Sequence, residues 1–499
     1  MIGPFPPVNC LSRLIKGLSY MRCISKNIFL VCTIALASLN LLNAAQRPNI
    51  LFIVADDMGI MDLGVYGSDY YLTPNLNKLA SQSMRFDRAY AASHVCSPTR
   101  GAILTGRYPQ RIHLTDALPW DRLYKNPKMI PPNHVKELSL KLPTFARVLQ
   151  KNDYRTAMFG KWHLGNEERF FTGKEHKAYG FDEAFGVSGK AKAYDKGVNE
   201  LTERTLRFLK ENKKKPFMLC LMHHVPHVPV ACPPYAKALY DSVPKGKHQK
   251  NSKYAGMISH FDNSIKKVLD ALRALGLDDN TVVIVTSDNG GLSNLSSNKP
   301  YNGGKGSLYE GGTRVPLLIR WPGKITPGSV NKSVVISNDF FPTFLELAGL
   351  PLMPEAHLDG KSMMPLLKGK TLGKRTLYWH FPHRGTPGSS IIDGDLKLIH
   401  KIESDTYEMF DLNSDPYEAN NLFEKQPEQA SRLQKMLARH LKEVAAQEMS
   451  PNPQWDPKRP KGKPTNFGIH YPAGRKKGFR LTVEAYPEWF KLGRLRKDR

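Results

Sequence analysis

A pair of adjacent carboxylates, Asp56-Asp57, closes the apolar run 48–54, and three more apolar runs also end in side chains that can do chemistry. Run 156–159 leads to Lys161-Trp162-His163, run 217–222 to His223, His224 and His227, and run 281–286 to Asp288-Asn289. At the first and last of these ends the donors are all oxygens: the carboxylates of Asp56, Asp57 and Asp288, and the amide of Asn289. Such a set suits a hard cation, Ca2+ or Mg2+, and not zinc, which favours nitrogen and sulfur. Taken alone, an Asp-Asp pair serves equally as a strand-end turn or a helix N-cap. Elsewhere Cys96 precedes Arg100 by four residues, with Pro98 between them. Proline is tolerated in the first turn of a helix, so 97–104 can be helical, with Cys96 at its positive end and Arg100 on the same face. That arrangement makes either an acidic, reactive thiol or a buried structural cysteine beside a solvated arginine.

These side chains need a scaffold that brings them together. The runs are continuous and not alternating, as suits strands buried on both faces of a parallel or mixed sheet, and a fifth lies at 315–320. Helical patterns at 75–83, 144–151, 201–211, 254–275 and 341–347 fall between them. Strands alternating with helices predict an α/β domain over residues 47–375, a large mixed sheet sandwiched between helices. In open α/β sheets ligands bind beyond the carboxyl ends of the strands, so parallel neighbours would bring the four reactive ends to one site. From 376 to 450 the texture changes to short strands at 376–380, 396–402 and 407–412 and an amphipathic helix at 428–446, a smaller α+β subdomain. Residues 451–499 form a basic extension. Its aromatics (Trp455, Phe467, Tyr471, Phe479, Tyr486, Trp489, Phe490) argue against pure disorder.

Composition bounds the function. The 499 residues are 41% hydrophobic and carry no Gly-Pro triplet period, which excludes collagen-like, coiled-coil and wholly disordered chains. A formal charge of +27 favours a polyanionic partner or an anionic substrate. Arg22 and Lys26 precede the apolar stretch 28–42, which ends in Asn43-Ala44-Ala45. This reads as a signal peptide over residues 1–45, with Met21 an alternative start and a retained anchor helix the rival reading. The body of the chain has no apolar run long enough to span a membrane, so an extracytoplasmic protein with no span after cleavage is expected. Cys96, Cys220 and Cys232 lie outside the leader; Cys220 is either a small buried hydrophobe or the partner of Cys232.

Cys96-Ser97-Pro98-Thr99-Arg100, followed by Gly101-Ala102-Ile103-Leu104-Thr105-Gly106-Arg107, resembles the signature of type I (formylglycine-dependent) sulfatases. These belong to the alkaline phosphatase superfamily and include arylsulfatases and N-acetylgalactosamine-6-sulfatases. Supporting motifs stand in the family's order: Pro48-Asn49-Ile50 with Asp56-Asp57, Gly160-Lys161-Trp162-His163-Leu164-Gly165, His224-Val225-Pro226-His227, and Ser287-Asp288-Asn289-Gly290. Lys305-Gly306-Ser307-Leu308-Tyr309-Glu310-Gly311-Gly312 and Tyr407-Glu408-Met409-Phe410-Asp411-Leu412 with Asp415-Pro416 complete the set. The resemblance implies an alkaline phosphatase-like fold in which a formylglycine-generating or maturase enzyme converts Cys96 to formylglycine. One hydroxyl of the hydrated aldehyde would attack the sulfur of a sulfate ester, giving a sulfo-enzyme intermediate, and the second would then expel inorganic sulfate.

The same resemblance implies one Ca2+ (Mg2+ is the lesser fit) on Asp56, Asp57, Cys96, Asp288 and Asn289. Arg100, Lys161 and Lys305 would supply positive charge around the oxyanion, which is what transfer of such a group chiefly needs. His163 would orient the diol, and His227 would contact the sulfate or protonate the leaving oxygen. His223 and His224 have no matching role and are expected in packing or at the surface. Ser188 lies near the family's polar residue after Gly180-Phe181, but no role carries over to it. Thr99 and Gly101 stand where serine and alanine are commoner. The glycine- and asparagine-rich loop 290–304 is expected to form a mobile wall of the cleft.

The expected function is therefore hydrolysis of sulfate esters on a sulfated glycan, with no nucleic-acid partner. A phospho- or phosphonoester hydrolase of the same superfamily is the first alternative; two-metal phosphatases need more ligands than lie beside Asp56 and Asp288. A non-catalytic polyanion-binding protein using the basic tail is the second. The sugar and the sulfate position rest on loops such as 114–138, which carry no transferable motif.

Overall fold

Strand β1 (Asn49–Asp56) has no polar residue between its ends, so both of its faces need cover, and every one of its residues is buried. The computed structural model describes Gly3, residues 47–462 and the backbone of 465–468; the expected leader and nearly all of the tail beyond 462 lie outside the described residues. Alternate side chains of β1 serve opposite faces. Ile50, Phe52 and Val54 join one core with Ile103, Phe145, Phe340 and Phe344, while Leu51, Ile53 and Ala55 join another with Leu76, Phe208, Ile258 and Phe261. The helices supplying these partners are α1 (Pro74–Ser81), α2 (Cys96–Thr105), α3 (Phe145–Lys151), α5 (Val198–Glu211), α6 (Ser252–Ala274) and α7 (Phe340–Leu347), with α4 (Gly189–Asp195) between α3 and α5.

The sheet they cover has eight strands: β1, β2 (Met84–Phe86), β3 (Arg155–Gly160), β4 (Glu183–Phe185), β5 (Phe217–Pro226), β6 (Thr281–Ser287), β7 (Leu317–Arg320) and β8 (Val330–Asn331). Their order is β8-β2-β7-β6-β1-β5-β3-β4. The four strands that carry the reactive ends are adjacent and parallel: β1 pairs with β5 and β6, and β5 with β3. The fifth run, β7, enters antiparallel to β6 and makes the sheet mixed.

The C-terminal strands β9 (Thr376–Phe381), β10 (Gly388–Asp393), β11 (Leu396–Lys401) and β12 (Thr406–Asp411) form an antiparallel meander. One face joins Leu377, Trp379, Ile392 and Ile399 to Tyr90, Ala102 and Leu308; the other joins Ile391, Leu398 and Met409 to Leu433 and Leu437 of α8 (Pro427–Glu443). Strand β10 was not expected: its opening Gly388-Ser389-Ser390 reads as loop, and pairing on both edges makes it a strand. Part of the expected extension folds back, with Ser450–Pro451 paired to Met129–Ile130 and Thr465–Gly468 to Trp120–Leu123. No helix among the described residues is long and apolar enough to cross a membrane.

Candidate active site

The carboxyl ends of β1, β3, β5 and β6 converge because the turns leaving them are locked to one another. Asp57 takes a left-handed backbone, φ 68°, which a short polar side chain tolerates. Its N–H donates to Asp288 Oδ1 (3.1 Å), and Met58 N–H to Ser287 Oγ (3.0 Å). Gly160 leaves β3 at φ +100°, and a Cβ there would stand 1.9 Å from the Met222 carbonyl oxygen. The same carbonyl accepts the Lys161 N–H at 2.8 Å, so glycine is what lets Lys161 follow directly. Helix α2 begins at Cys96 and all ten of its residues are buried. Thr99 stabilises its entry, its hydroxyl accepting from Ser93 N–H and donating to Ser93 O, both 3.0 Å.

At the centre, Cys96 Sγ lies 3.2 Å from Lys305 Nζ and 3.6 Å from Asp57 Oδ1. Lys305 Nζ (2.5 Å) and Asn289 Nδ2 (2.9 Å) donate to that same oxygen. Lys161 Nζ donates to both oxygens of Asp56 at 2.8 Å. Arg100 grips Asp288 Oδ2 through Nε and Nη2 at 2.8 and 2.7 Å, and donates from Nη1 to the Lys161 carbonyl. His227 Nε2 lies 3.6 Å from Asp57 Oδ2, at the accessible side of the group. His163 Nε2 donates to the Leu118 carbonyl. Each residue expected at the site thus lies in or against one network, which mixes cations and carboxylates in near balance.

Burial dominates the electrostatics. It opposes ionisation of Asp56, but Lys161, with His227, Arg100 and Lys305, overrides it and holds that carboxyl well below the usual range. Asp288 shifts the other way: burial pushes it up, aided by Asp56 and Asp57 and opposed by Arg100 and Lys161. Arg100 and Lys161 are both raised despite burial, held charged chiefly by Asp288 and by Asp56 respectively. Burial and then Lys161 push His163 well below its usual value, so it is neutral. A carbonyl can only accept, so the Nε2 of that neutral ring carries the proton and Nδ1, buried and without a partner, keeps its lone pair.

Asp56, Asp57, Cys96 and His227 each offer a donor atom, all within 4.8 Å of one another. Asp57 Oδ2 and Asn289 Oδ1 are buried and unpartnered. Bare buried oxygens among carboxylates fit a hard cation. Asp288 falls outside that closest group, its oxygens being taken by Asp57 N–H and Arg100.

Residues 48–350 match the sulfatase family model, and 304–447 match the C-terminal N-sulphoglucosamine sulphohydrolase model. The chain belongs to the sulfatase family. It is 30% identical to a sulfatase of Formosa agariphila over 78% of this chain and 86% of that one. It is 33% identical to the N-acetylgalactosamine-6-sulfatase of Homo sapiens, over 67% of this chain and 69% of that one. A solved structure of Ps i-CgsB in complex with k-i-k-neocarrahexaose superposes with a TM-score of 0.68 at 28% identity, covering 82% of this chain and 95% of the other. This protein is accordingly a sulfuric ester hydrolase with a mixed-sheet sulfatase fold.

Several expectations change in this sulfatase. The Cys96 thiol is not acidic: burial pushes it up to about 12, and Asp288 and Asp57 add to that against Lys161 and Lys305. Cys220 and Cys232 are both free thiols, Cys220 within the core. Loop 290–304 is pinned from inside, with Ser296 Oγ donating to Asp62 (2.6 Å) and Asn298 Nδ2 to the Gly291 carbonyl (2.9 Å). His223 packs against Phe261, whereas His224 sits within the field of Asp56 and Lys161, closer to the chemistry than expected. Ser188 caps α4 and bonds Glu200, which leaves it structural work. Lys196 and Arg384 escaped the sequence reading, since each lies between motifs with no pattern around it; Arg384 approaches Asp116 at 3.8 Å.

Proposed function

We propose that this sulfatase removes sulfate from a sulfated carbohydrate after export, with residue 96 acting as formylglycine and one Ca2+ at the carboxylate cluster. The observation that carries this reading is Cys96 Sγ between Lys305 Nζ and Asp57 Oδ1, at the buried meeting point of the strand ends. Asp56, Asp57, Asp288 and Asn289, with residue 96, would hold the ion, which when bound supplies positive charge to a sulfate oxygen. Residue 96 as formylglycine, made by a formylglycine-generating or maturase enzyme, would supply an oxygen nucleophile and a second hydroxyl for sulfate release. The chain's own side chains do the rest. Lys305 is the cation touching residue 96 and meets negative charge as it develops on the transferring group. Arg100 fixes Asp288 and the Lys161 carbonyl together, so the cations stay aligned without reorganising. His163 Nδ1, buried and without a partner, would be the acceptor for a hydroxyl at residue 96. His227, 30% exposed at its side chain, commits its Nδ1–H to the Val228 carbonyl, so it would act as the imidazolium beside Asp57, giving the Nε2 proton to the ester oxygen as the alcohol leaves. A carbohydrate substrate is supported by the N-acetylgalactosamine-6-sulfatase relatives and by the neocarrahexaose complex of the structural neighbour.

Peptide mass spectrometry across Cys96, on protein from the native host, tests the nucleophile. The expected loss is about 18 Da, thiol to aldehyde; unmodified cysteine in active protein would overturn the mechanism. For the ion, chelation should lower both the unfolding midpoint and 4-nitrophenyl sulfate turnover, with Ca2+ restoring both better than Mg2+. An unfolding midpoint indifferent to Ca2+ would rule it out.

A further inference from the structure

Lys196 is a buried ammonium without a carboxylate. It is only 7% exposed, and its Nζ donates to one acceptor, the Val228 carbonyl at 3.3 Å, one residue beyond His227. The adjacent acid is not its partner: Asp195 accepts from Gly197 N–H (2.9 Å) and Asn199 N–H (3.1 Å), and lies 3.2 Å from His260 Nε2. The backbone at Lys196 is left-handed, φ 61°, at the C-cap of α4, a position glycine would fill without strain. Uncompensated charge of this kind is costly to bury unless an anion arrives to meet it. Lys192 stands four residues earlier on α4, within the field of Lys196, and opens outward at 38% side-chain exposure, Glu167 at 3.6 Å being its one ion-pair partner among the described residues. His224, whose Nε2 is buried without a partner, lies within the field of both Lys192 and the Asp56–Lys161 pair.

We propose that Lys196 and Lys192 form an anion-binding wall of the cleft that takes a second sulfate or carboxylate of a polyanionic glycan, beside the ester being cleaved. The inference rests on the carbohydrate reading above and deepens it. Two observations separate this wall from the catalytic cations. Arg100, Lys161 and Lys305 are each committed to a carboxylate of the cluster, whereas Lys196 has none within ion-pair reach among the described residues. The pair also runs from the buried centre toward solvent, as a chain of anions would and a single sulfate would not. That Lys196 adjoins the centre is independently marked by its electrostatics: burial pulls its ammonium below the ordinary value, with Lys161 and Lys192 adding to this and Asp56 and Asp57 resisting it.

The test is calorimetric titration at low salt of the full chain carrying Cys96→Ala, which prevents turnover, with inorganic sulfate and with sucrose octasulfate. Lys196→Met and Lys192→Met should each weaken octasulfate binding by about tenfold, the worth of one charge-assisted contact. Inorganic sulfate affinity should stay within about twofold, and Lys196→Arg should behave as the parent, because the charge is kept. Lys192→Met, at an exposed position, keeps the test decisive if Lys196→Met fails to fold. Unchanged octasulfate binding, or parallel loss of both ligands, would overturn the proposal. If the parent binds neither ligand, the sulfate-site reading falls instead, which separates the two failures.

Discussion

Arg100 shows how single side chains here combine structural and chemical duties. Its guanidinium is 4% exposed and forks onto Asp288 while reaching Lys161 O, a geometry an ammonium cannot copy. Removing it leaves Asp288 buried beside Asp56 and Asp57 with no paired cation, only the field of Lys161, which is itself bound to Asp56. Arg100→Ala should therefore cost about 3–5 kcal/mol of stability, as breaking a buried pair does, read as a lower urea midpoint; a loss under about 1 kcal/mol would mean water reaches Asp288. Lys305 is different, since Asp57 keeps Asn289 as a donor without it. Lys305→Ala should lower kcat on 4-nitrophenyl sulfate by roughly a hundredfold or more, the usual worth of one preorganised donor to developing charge. A drop confined to KM would place Lys305 in ground-state binding alone.

At the level of elements, the strand ends matter more than the strands. Gly160 turns β3 sharply enough for Lys161 to point back at β1, and a methyl group would collide with the Met222 carbonyl. Gly160→Ala should destabilise by about 3 kcal/mol through strain and forced movement of β5, with activity falling further than stability explains; an unchanged unfolding midpoint would refute this. The C-terminal meander is tied to the catalytic loop by a buried cluster. Lys397 Nζ on β11 meets Glu310 and Glu418, both at 2.8 Å, five residues beyond Lys305 in the case of Glu310. Lys397→Ala leaves Glu418 buried without a cation, while Glu310 keeps Arg314 and the Tyr90 hydroxyl, and should cost about 3 kcal/mol. Limited proteolysis should then cut near 304–313 faster than in the parent.

For the molecule as a whole, buried imidazoles set the response to acid. Burial pushes His380 and His440 down to about 4 and His94 and His223 down to about 3, and it holds His163 and His224 well below their usual value. In the unfolded chain these rings take protons near pH 6.5, so below about that pH unfolding is favoured by up to about 1.4 kcal/mol per group per unit. The loss continues until each folded value is reached. Asp62, raised to about 6, and Glu418, raised to about 7, act in the opposite sense, since the fold protonates them before the unfolded chain does. Asp288 does likewise, while Asp56, held low by Lys161, adds a further loss below about pH 4. The histidines outnumber the opposing acids, so the unfolding midpoint should fall steadily from pH 6.5 to 4.5. A flat profile across that window would show that these rings are hydrated.

What the sequence determined was local: an apolar run that cannot tolerate polar neighbours until its end, and the reactive residue placed at that end. Asp56-Asp57, Lys161, Asp288-Asn289 and the helix carrying Cys96 and Arg100 are legible for that reason, and the order of the motifs carried the family. Only tertiary structure decided the pairings, because partners such as Arg100 and Asp288 lie 188 residues apart and nothing local prefers one carboxylate over another. The same holds for the Cys96 thiol, which helix position and Arg100 would make acidic and which burial among carboxylates makes the reverse. Strand β10 exists because two neighbours pair with it. Lys196 is notable because a fold with no carboxylate to spare closes around it, and a solvated lysine and a buried one are spelled alike in the sequence.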